Sequence, residues 1–187
     1  MPIEFISMSI PEVILIKPDI FKDSRGFFIE TFHQRKYTKG GINKSFVQDN
    51  FSHSTRNILR GLHYQLRFPQ AKLIYAVKGE IFDVVVDIRY GSPTFGKCIS
   101  IILSVENGYQ LYVPEGFAHG FCVLSETADV LYKCTDFYAP GDEFGILWSD
   151  PNLGIHWPIE VPILSDKDSK NPKLGEVPKN LLPAYKI

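Results

Sequence analysis

The chain has 187 residues, of which 44% are apolar and 13% aromatic, and it carries 20 basic against 21 acidic side chains. This length and apolar content suit a single domain over 1–187 with a substantial core, and exclude a disordered chain. A net charge of −1 gives no bulk attraction to nucleic acid or to an acidic membrane, so an anionic ligand requires a local cluster of cations.

The chain begins with a mostly β pattern. Val13 to Ile16 is a short apolar run ended by Pro18, Gly26 to Phe32 is aromatic and β-branched, and Phe46 to Asn50 is another short candidate. Between them, Thr31 to Lys39 is the best helical segment, stopped by Gly40 and Gly41. Leu73 to Val77 leads through a tight turn at Lys78-Gly79-Glu80 into the clearest strand, Ile81 to Ile88. There Phe82, Val84, Val86 and Ile88 share one face, with Asp83 and Asp87 on the other. Lys97 to Ser104, Tyr109 to Val113, Gly120 to Leu124 and Val130 to Thr135 continue the series. From Pro162 onward, four prolines predict a tail that wraps the body irregularly. Many short strands between Gly, Pro and Asn turns predict an all-β fold, a sandwich or barrel with a few short peripheral helices.

Cys98, Cys122 and Cys134 are odd in number and lack metal-ligand spacing, which predicts reduced thiols. No basic segment followed by a long apolar run opens the chain, and no stretch is long enough to span a bilayer. The expected location is cytoplasmic.

His63, Lys72 and His119 carry the strongest chemical signal. Their spacing is that of a cupin-type metal site, in which His-x-His and a Glu precede a glycine and a later Pro-x-Gly-x-x-His. Here Gln65 stands at the second histidine and Lys72, seven residues before Gly79, at the glutamate. An ammonium has no lone pair to give and a neutral amide is a poor ligand, so no metal is expected. The pocket is left with a base and a cation. Histidine titrates near 6.5, within reach of general-base work, and Asp168 is available to orient the ring. A lysine fixed in a pocket stabilises a developing oxyanion by roughly 3 to 4 kcal/mol. Tyr132, alternating with Val130 and Cys134, is either a core aromatic or a proton donor. His63 is alternatively a core histidine, Lys72 an exposed strand lysine, and His119 a pocket wall. Arg25, Arg60 and Lys167 are alternatively solvated charges. Without a Gly-rich phosphate loop, a phosphate-bearing ligand depends on such arginines.

Six segments in fixed order complete the reading: Asp23 to Phe28, Phe46 to Asn50, Leu59 to Gln65, Pro114 to Phe121, Leu131 to Lys133, and Leu164 to Asp168. Together they resemble the dTDP-4-dehydrorhamnose 3,5-epimerases from about Val13 to Asp168. The resemblance implies a jelly-roll (cupin-like) homodimer that uses no cofactor and acts on a dTDP-linked 4-keto-6-deoxy sugar. By the same resemblance His63 is the base, Asp168 its partner, Lys72 the holder of the enolate oxygen, and Tyr132 the opposite-face acid. Arg25, Glu30, Gln48, Asp49, Asn50, Arg60, His119, Glu143 and Lys167 fall at substrate-contacting positions, and Tyr138 at the aromatic that stacks on thymine. Both C3 and C5 flank the C4 ketone, so one such set can serve both centres.

Other readings remain at this point. A 3-only or 5-only epimerase of another deoxysugar pathway shares the catalytic set. A 3,4-ketoisomerase of the same fold, by resemblance, does not depend on the Lys/Tyr pair. A non-catalytic nucleotide-sugar binder has no use for a His/Asp pair opposite Lys and Tyr, and a metal-dependent oxygenase is disfavoured by Gln65 and Lys72.

Overall fold

A computed structural model describes residues 3–185. Two antiparallel sheets face one another. The six-stranded sheet runs in the order β1 (Glu4–Ser7), β2 (Ile14–Lys17), β10 (Gln110–Val113), β7 (Lys72–Lys78), β12 (Thr127–Cys134), β5 (Gln48–Thr55). The five-stranded sheet runs β13 (Glu143–Gly145), β6 (Leu59–Gln65), β11 (Phe117–Val123), β8 (Glu80–Asp87), β9 (Cys98–Ser104). A separate hairpin pairs β3 (Ile20–Asp23) with β4 (Gly26–Ile29). Each sheet keeps two open edges, so the jelly roll is a sandwich and not a closed barrel.

Three layers of apolar side chains hold this arrangement. Ile74, Ile81, Val85, Leu111, Phe117, Phe121 and Val130 fill the space between the sheets. Leu62, Tyr64, Val84, Val86 and Ile88 point out of the five-stranded sheet and are covered by the C-terminal segment through Leu153, Leu174 and Leu182. Ile14, Ile16, Leu73 and Tyr112 point out of the six-stranded sheet toward Tyr37 of the short helix α1 (Gln34–Lys39) and Ile42. Strand β8 is therefore buried on both faces. Asp83 and Asp87 lie on its inner face with Ile81 and Val85, and both carboxylates are fully buried.

The expected strands are present with shifted ends. The segment at Phe46 extends to Thr55, the one at Gly120 begins at Phe117, and the aromatic run from Gly26 stops at Ile29. Helix α1 is shorter than Thr31 to Lys39 because it begins only after His33, whose backbone is extended. At Gly79 the turn carries the chain from one sheet to the other, since β7 pairs with β10 and β12 whereas β8 pairs with β9 and β11. Only glycine suits that corner: φ is +71°, and a Cβ would sit 2.1 Å from the Thr127 carbonyl oxygen.

The tail is irregular, as its prolines predict. It contains short 3-10 turns at Asp168–Lys170, Leu174–Glu176 and Lys179–Leu181. Polar contacts seat it: the Tyr64 hydroxyl donates to the Leu181 carbonyl at 2.8 Å, and Leu174 N–H donates to the buried Asp150 carboxylate at 2.8 Å. Among the described residues no helix is long and apolar enough to cross a membrane.

Candidate active site

Strand β6 carries the first functional groups, and a bulge decides where they point. Along its pairing with β11, His119 lies opposite His63 and Phe121 opposite Arg60, so β6 spends one more residue than its partner. Residues three apart in a regular strand face opposite ways. The extra residue brings Arg60 and His63 onto the same inner face, while Leu62 and Tyr64 stay in the outer layer. The strands meet here through Gly61 and Gly120. A Cβ on Gly61 would lie 2.6 Å from the Gly120 Cα, and one on Gly120 would lie 2.6 Å from the Arg60 carbonyl oxygen.

A cavity of about 450 Å³ opens above this point, lined by Arg60, His63, His119 and Phe121 from the five-stranded sheet and by Ser52, Lys72 and Tyr132 from the six-stranded sheet. Glu143, Lys167 and Asp168 close one side. A second hollow of about 270 Å³ shares His63, Lys72, Tyr132 and Glu143 with it and continues past Gln48, Asn50 and Gln70 to Tyr138. The two form one elongated cleft.

His63 Nε2 lies 2.5 Å from Asp168 Oδ1. Asp168 is buried, and it also accepts from Gly61 N–H at 3.5 Å, while its own N–H donates to Ser165 Oγ at 3.1 Å. Burial disfavours its charge, but the His63 hydrogen bond and ionic attraction outweigh that cost and hold the carboxyl below its ordinary range. A carboxylate so placed fixes the ring and its tautomer. On the same wall His119 Nε2 meets the buried Asp83 at 2.8 Å. The second Asp83 oxygen is buried with no hydrogen-bond partner among the described residues.

The opposite wall differs. Burial pushes the Lys72 amine down from the ordinary lysine value, opposed by the negative potential of Cys134, Glu143 and Asp83. Burial also pushes the Tyr132 phenol up, aided by Cys134 and countered by Arg60. Tyr132 therefore holds its proton firmly. Among the described residues neither the Lys72 ammonium nor the Tyr132 hydroxyl has a hydrogen-bond partner.

Of the fourteen residues singled out from the sequence, eleven line this cleft: His63, Lys72, Tyr132, Asp168, Gln48, Asn50, Arg60, His119, Tyr138, Glu143 and Lys167. Glu143 and Lys167 form an ion pair at its edge. Asp49 turns outward, because it alternates with Gln48 and Asn50, and pairs with Lys133 at 2.8 Å. Arg25 and Glu30 lie away from the cleft. Arg25 is on the β3–β4 hairpin, paired with Asp23 at 2.6 Å, and Glu30 follows the hairpin, paired with Lys36 at 2.7 Å. Sequence reasoning passed over Ser52, whose buried hydroxyl lines the cavity without a hydrogen-bond partner among the described residues, and Asp83. Alternation with Gln48 and Asn50 was the available signal for Ser52. For Asp83 it was a carboxylate within an apolar strand.

Residues 7–176 match the family model described as dTDP-4-dehydrorhamnose 3,5-epimerase. The dTDP-4-dehydrorhamnose 3,5-epimerase of Shigella flexneri is 53% identical over 170 residues, covering 90% of this chain and 94% of that protein. A relative of the same description from Neisseria gonorrhoeae is 49% identical over 96% of this chain, which spans only 55% of that longer protein. The crystal structure of the dTDP-6-deoxy-D-glucose-3,5-epimerase from Legionella pneumophila, in complex with dTDP-4-keto-L-rhamnose, superposes with a TM-score of 0.97 at 49% identity and covers 100% of both chains. By sequence and by structure, this chain belongs to the dTDP-4-dehydrorhamnose 3,5-epimerase family.

Proposed function

We propose that the cleft inverts C3 and C5 of dTDP-4-dehydro-6-deoxy-D-glucose, giving dTDP-4-dehydro-L-rhamnose by successive proton abstraction and return. One observation carries this reading: a histidine oriented by a carboxylate stands on one wall, and a lysine and a protonated tyrosine stand on the other. His63 Nδ1, the ring nitrogen left free by the Nε2 contact with Asp168, takes the proton from the carbon beside the ketone, and the C–H electron pair becomes the enolate with its charge on the C4 oxygen. The resulting imidazolium is stabilised by Asp168. Lys72 donates to the C4 oxygen, its charge matched to the one that develops there. Tyr132 gives its proton to the opposite face as the enolate collapses to the ketone, and both groups then re-equilibrate with water. No electron is transferred, so the balance closes with protons alone. Arg60 and Lys167 face the cleft as cations for the diphosphate, and Tyr138 stands at the far end for the thymine ring.

The same reading includes a homodimer. Among the described residues the β3–β4 hairpin pairs with no other strand, and it exposes Phe21, Phe27 and Phe28 at 61%, 58% and 67%. Strand β5 is an open sheet edge with Phe51 exposed. An apolar hairpin and a free edge on one molecule suit two-fold association, which would carry Arg25 and Glu30 to a partner's cleft. Light scattering at micromolar concentration tests this, and a monomer overturns it. Three unpaired cysteines fit a reducing compartment, the cytoplasm.

Proton NMR of dTDP-4-dehydro-6-deoxy-D-glucose with the enzyme in D₂O tests the chemistry. Deuterium at both C3 and C5 is expected. Exchange at C3 alone moves the enzyme to the 3-epimerases, and tight binding without exchange leaves a binding protein.

A further inference from the structure

Gln65 follows His63 by two residues and shares its face of β6. It is buried, with 6% of its surface exposed, and its amide is fully engaged. The side-chain nitrogen donates to the Phe68 carbonyl at 2.7 Å and to the Phe137 carbonyl at 3.2 Å, while the side-chain oxygen accepts from Ala139 N–H at 3.0 Å. The two backbone groups on either side of Tyr138 are thus held by one side chain. A second amide completes the bracket: Tyr138 N–H donates to Gln48 Oε1 at 2.9 Å, and Gln48 is itself held by Asn50 at 3.0 Å.

This loop has no sheet partner of its own among the described residues. Tyr138 is 53% exposed, so packing alone does not fix it. The adjoining loop is tied down in the same way, with the buried Asp142 carboxylate accepting from Arg67 N–H and Phe68 N–H at 2.9 Å each. Gln65 donates into both loops and therefore sets their spacing.

We infer that Gln65 is a positioning residue that holds Tyr138 as a preformed platform for the nucleobase, so that it governs nucleotide affinity and not proton transfer. The inference rests on the reading of Tyr138 as the base-stacking residue. A loop ordered before binding does not have to be ordered at binding, and the saved entropy appears as affinity. The position that a metal-binding relative of this fold would use for a ligand is instead committed to the backbone of the recognition loop. One strand thereby places the base and, two residues later, the nucleotide platform.

The test is calorimetric titration of dTDP into the wild-type protein, Gln65→Leu, Tyr138→Ala and the double variant, with KM and kcat measured alongside. Leucine keeps much of the volume and loses all three hydrogen bonds. About tenfold weaker dTDP binding is expected in each single variant, corresponding to about 1.4 kcal/mol. The double variant is expected to bind no more weakly than Tyr138→Ala, because Gln65 acts through that ring. KM rises with the dissociation constant while kcat changes by less than about twofold. Unchanged affinity in Gln65→Leu overturns the inference, as do additive losses or a fall confined to kcat. If Tyr138→Ala binds dTDP as the wild type does, the platform reading itself fails. Gln65→Glu, which keeps the acceptor for Ala139 and loses both donors, carries the same test if the leucine variant does not fold. Failure of both to fold overturns the inference in favour of a purely structural role.

Discussion

The two walls of the cleft are built on different principles. On the five-stranded side each histidine is already satisfied, His63 by Asp168 and His119 by Asp83. On the six-stranded side Lys72 and Tyr132 have no hydrogen-bond partner among the described residues, and burial drives both toward their neutral forms. On the proposed mechanism one wall is finished before substrate arrives, and the other is completed by it. A base needs a fixed ring and a stabilised cation after proton transfer, which a carboxylate supplies in advance. An oxyanion holder and an acid need the opposite, because a resident carboxylate would neutralise the charge or capture the proton intended for substrate.

The largest test of this contrast is His63→Ala, which removes the proposed base from the finished wall. Turnover is expected to fall about 10³-fold, within the range for a lost general base, with dTDP affinity within about twofold of wild type. Near-normal turnover would remove His63 from the mechanism.

Lys72→Met removes the cation from the unfinished wall. A loss of about 10² to 10³-fold in kcat is expected, as for a lost oxyanion donor. Thermal stability is expected to rise, because a desolvated ammonium without a hydrogen-bond partner is replaced by an apolar chain of similar shape. A fall in melting temperature together with retained turnover would show that Lys72 is structural. Tyr132→Phe separates the two walls most cleanly. Inversion is expected to drop about 10²-fold, while exchange of the substrate's own C–H proton through His63 continues in D₂O. Parallel loss of exchange and inversion would contradict the division of labour.

The smallest expected effect is on the pH profile. The folded-state value of Lys72 lies below 10.5, so its protonated, working form is lost as pH rises through that lowered value. The alkaline limb of kcat is expected below the ordinary lysine range. Asp83 raises the Lys72 value, so Asp83→Asn is expected to move that limb to still lower pH. A limb that stays in place on this substitution would show that another group sets it. Stability runs the opposite way. The unfolded lysine binds its proton more tightly than the folded one, so between the two values stability rises with pH.

Much of this contrast was legible in the sequence, for identifiable reasons. His63, Lys72, Tyr132 and Asp168 sit in distinctive local motifs, and most of the strands betray themselves by alternation. What alternation concealed were the departures from it. The bulge that turns Arg60 and His63 to one side depends on the register of β6 against β11, which no local pattern records. The transfer between sheets at Gly79 looks in sequence like any tight turn. Asp83 resembles the polar face of a half-exposed strand, yet it lies inside because the C-terminal segment covers the other face of β8. Arg25 and Asp49 fall within matching motifs and Glu30 just beyond one, but a single chain leaves them outside the cleft.

Asp168, the partner of the proposed base His63, is 105 residues away in sequence and is delivered by the irregular tail, not by a sheet. A segment of single 3-10 turns opens at lower free energy than a paired strand. In a graded urea titration, activity is therefore expected to disappear while the sheet signal in circular dichroism is still intact. The His63–Asp168 contact makes turnover a gauge of whether the last stretch of chain is seated, and storage or handling that loosens only that stretch would yield folded protein with no catalysis.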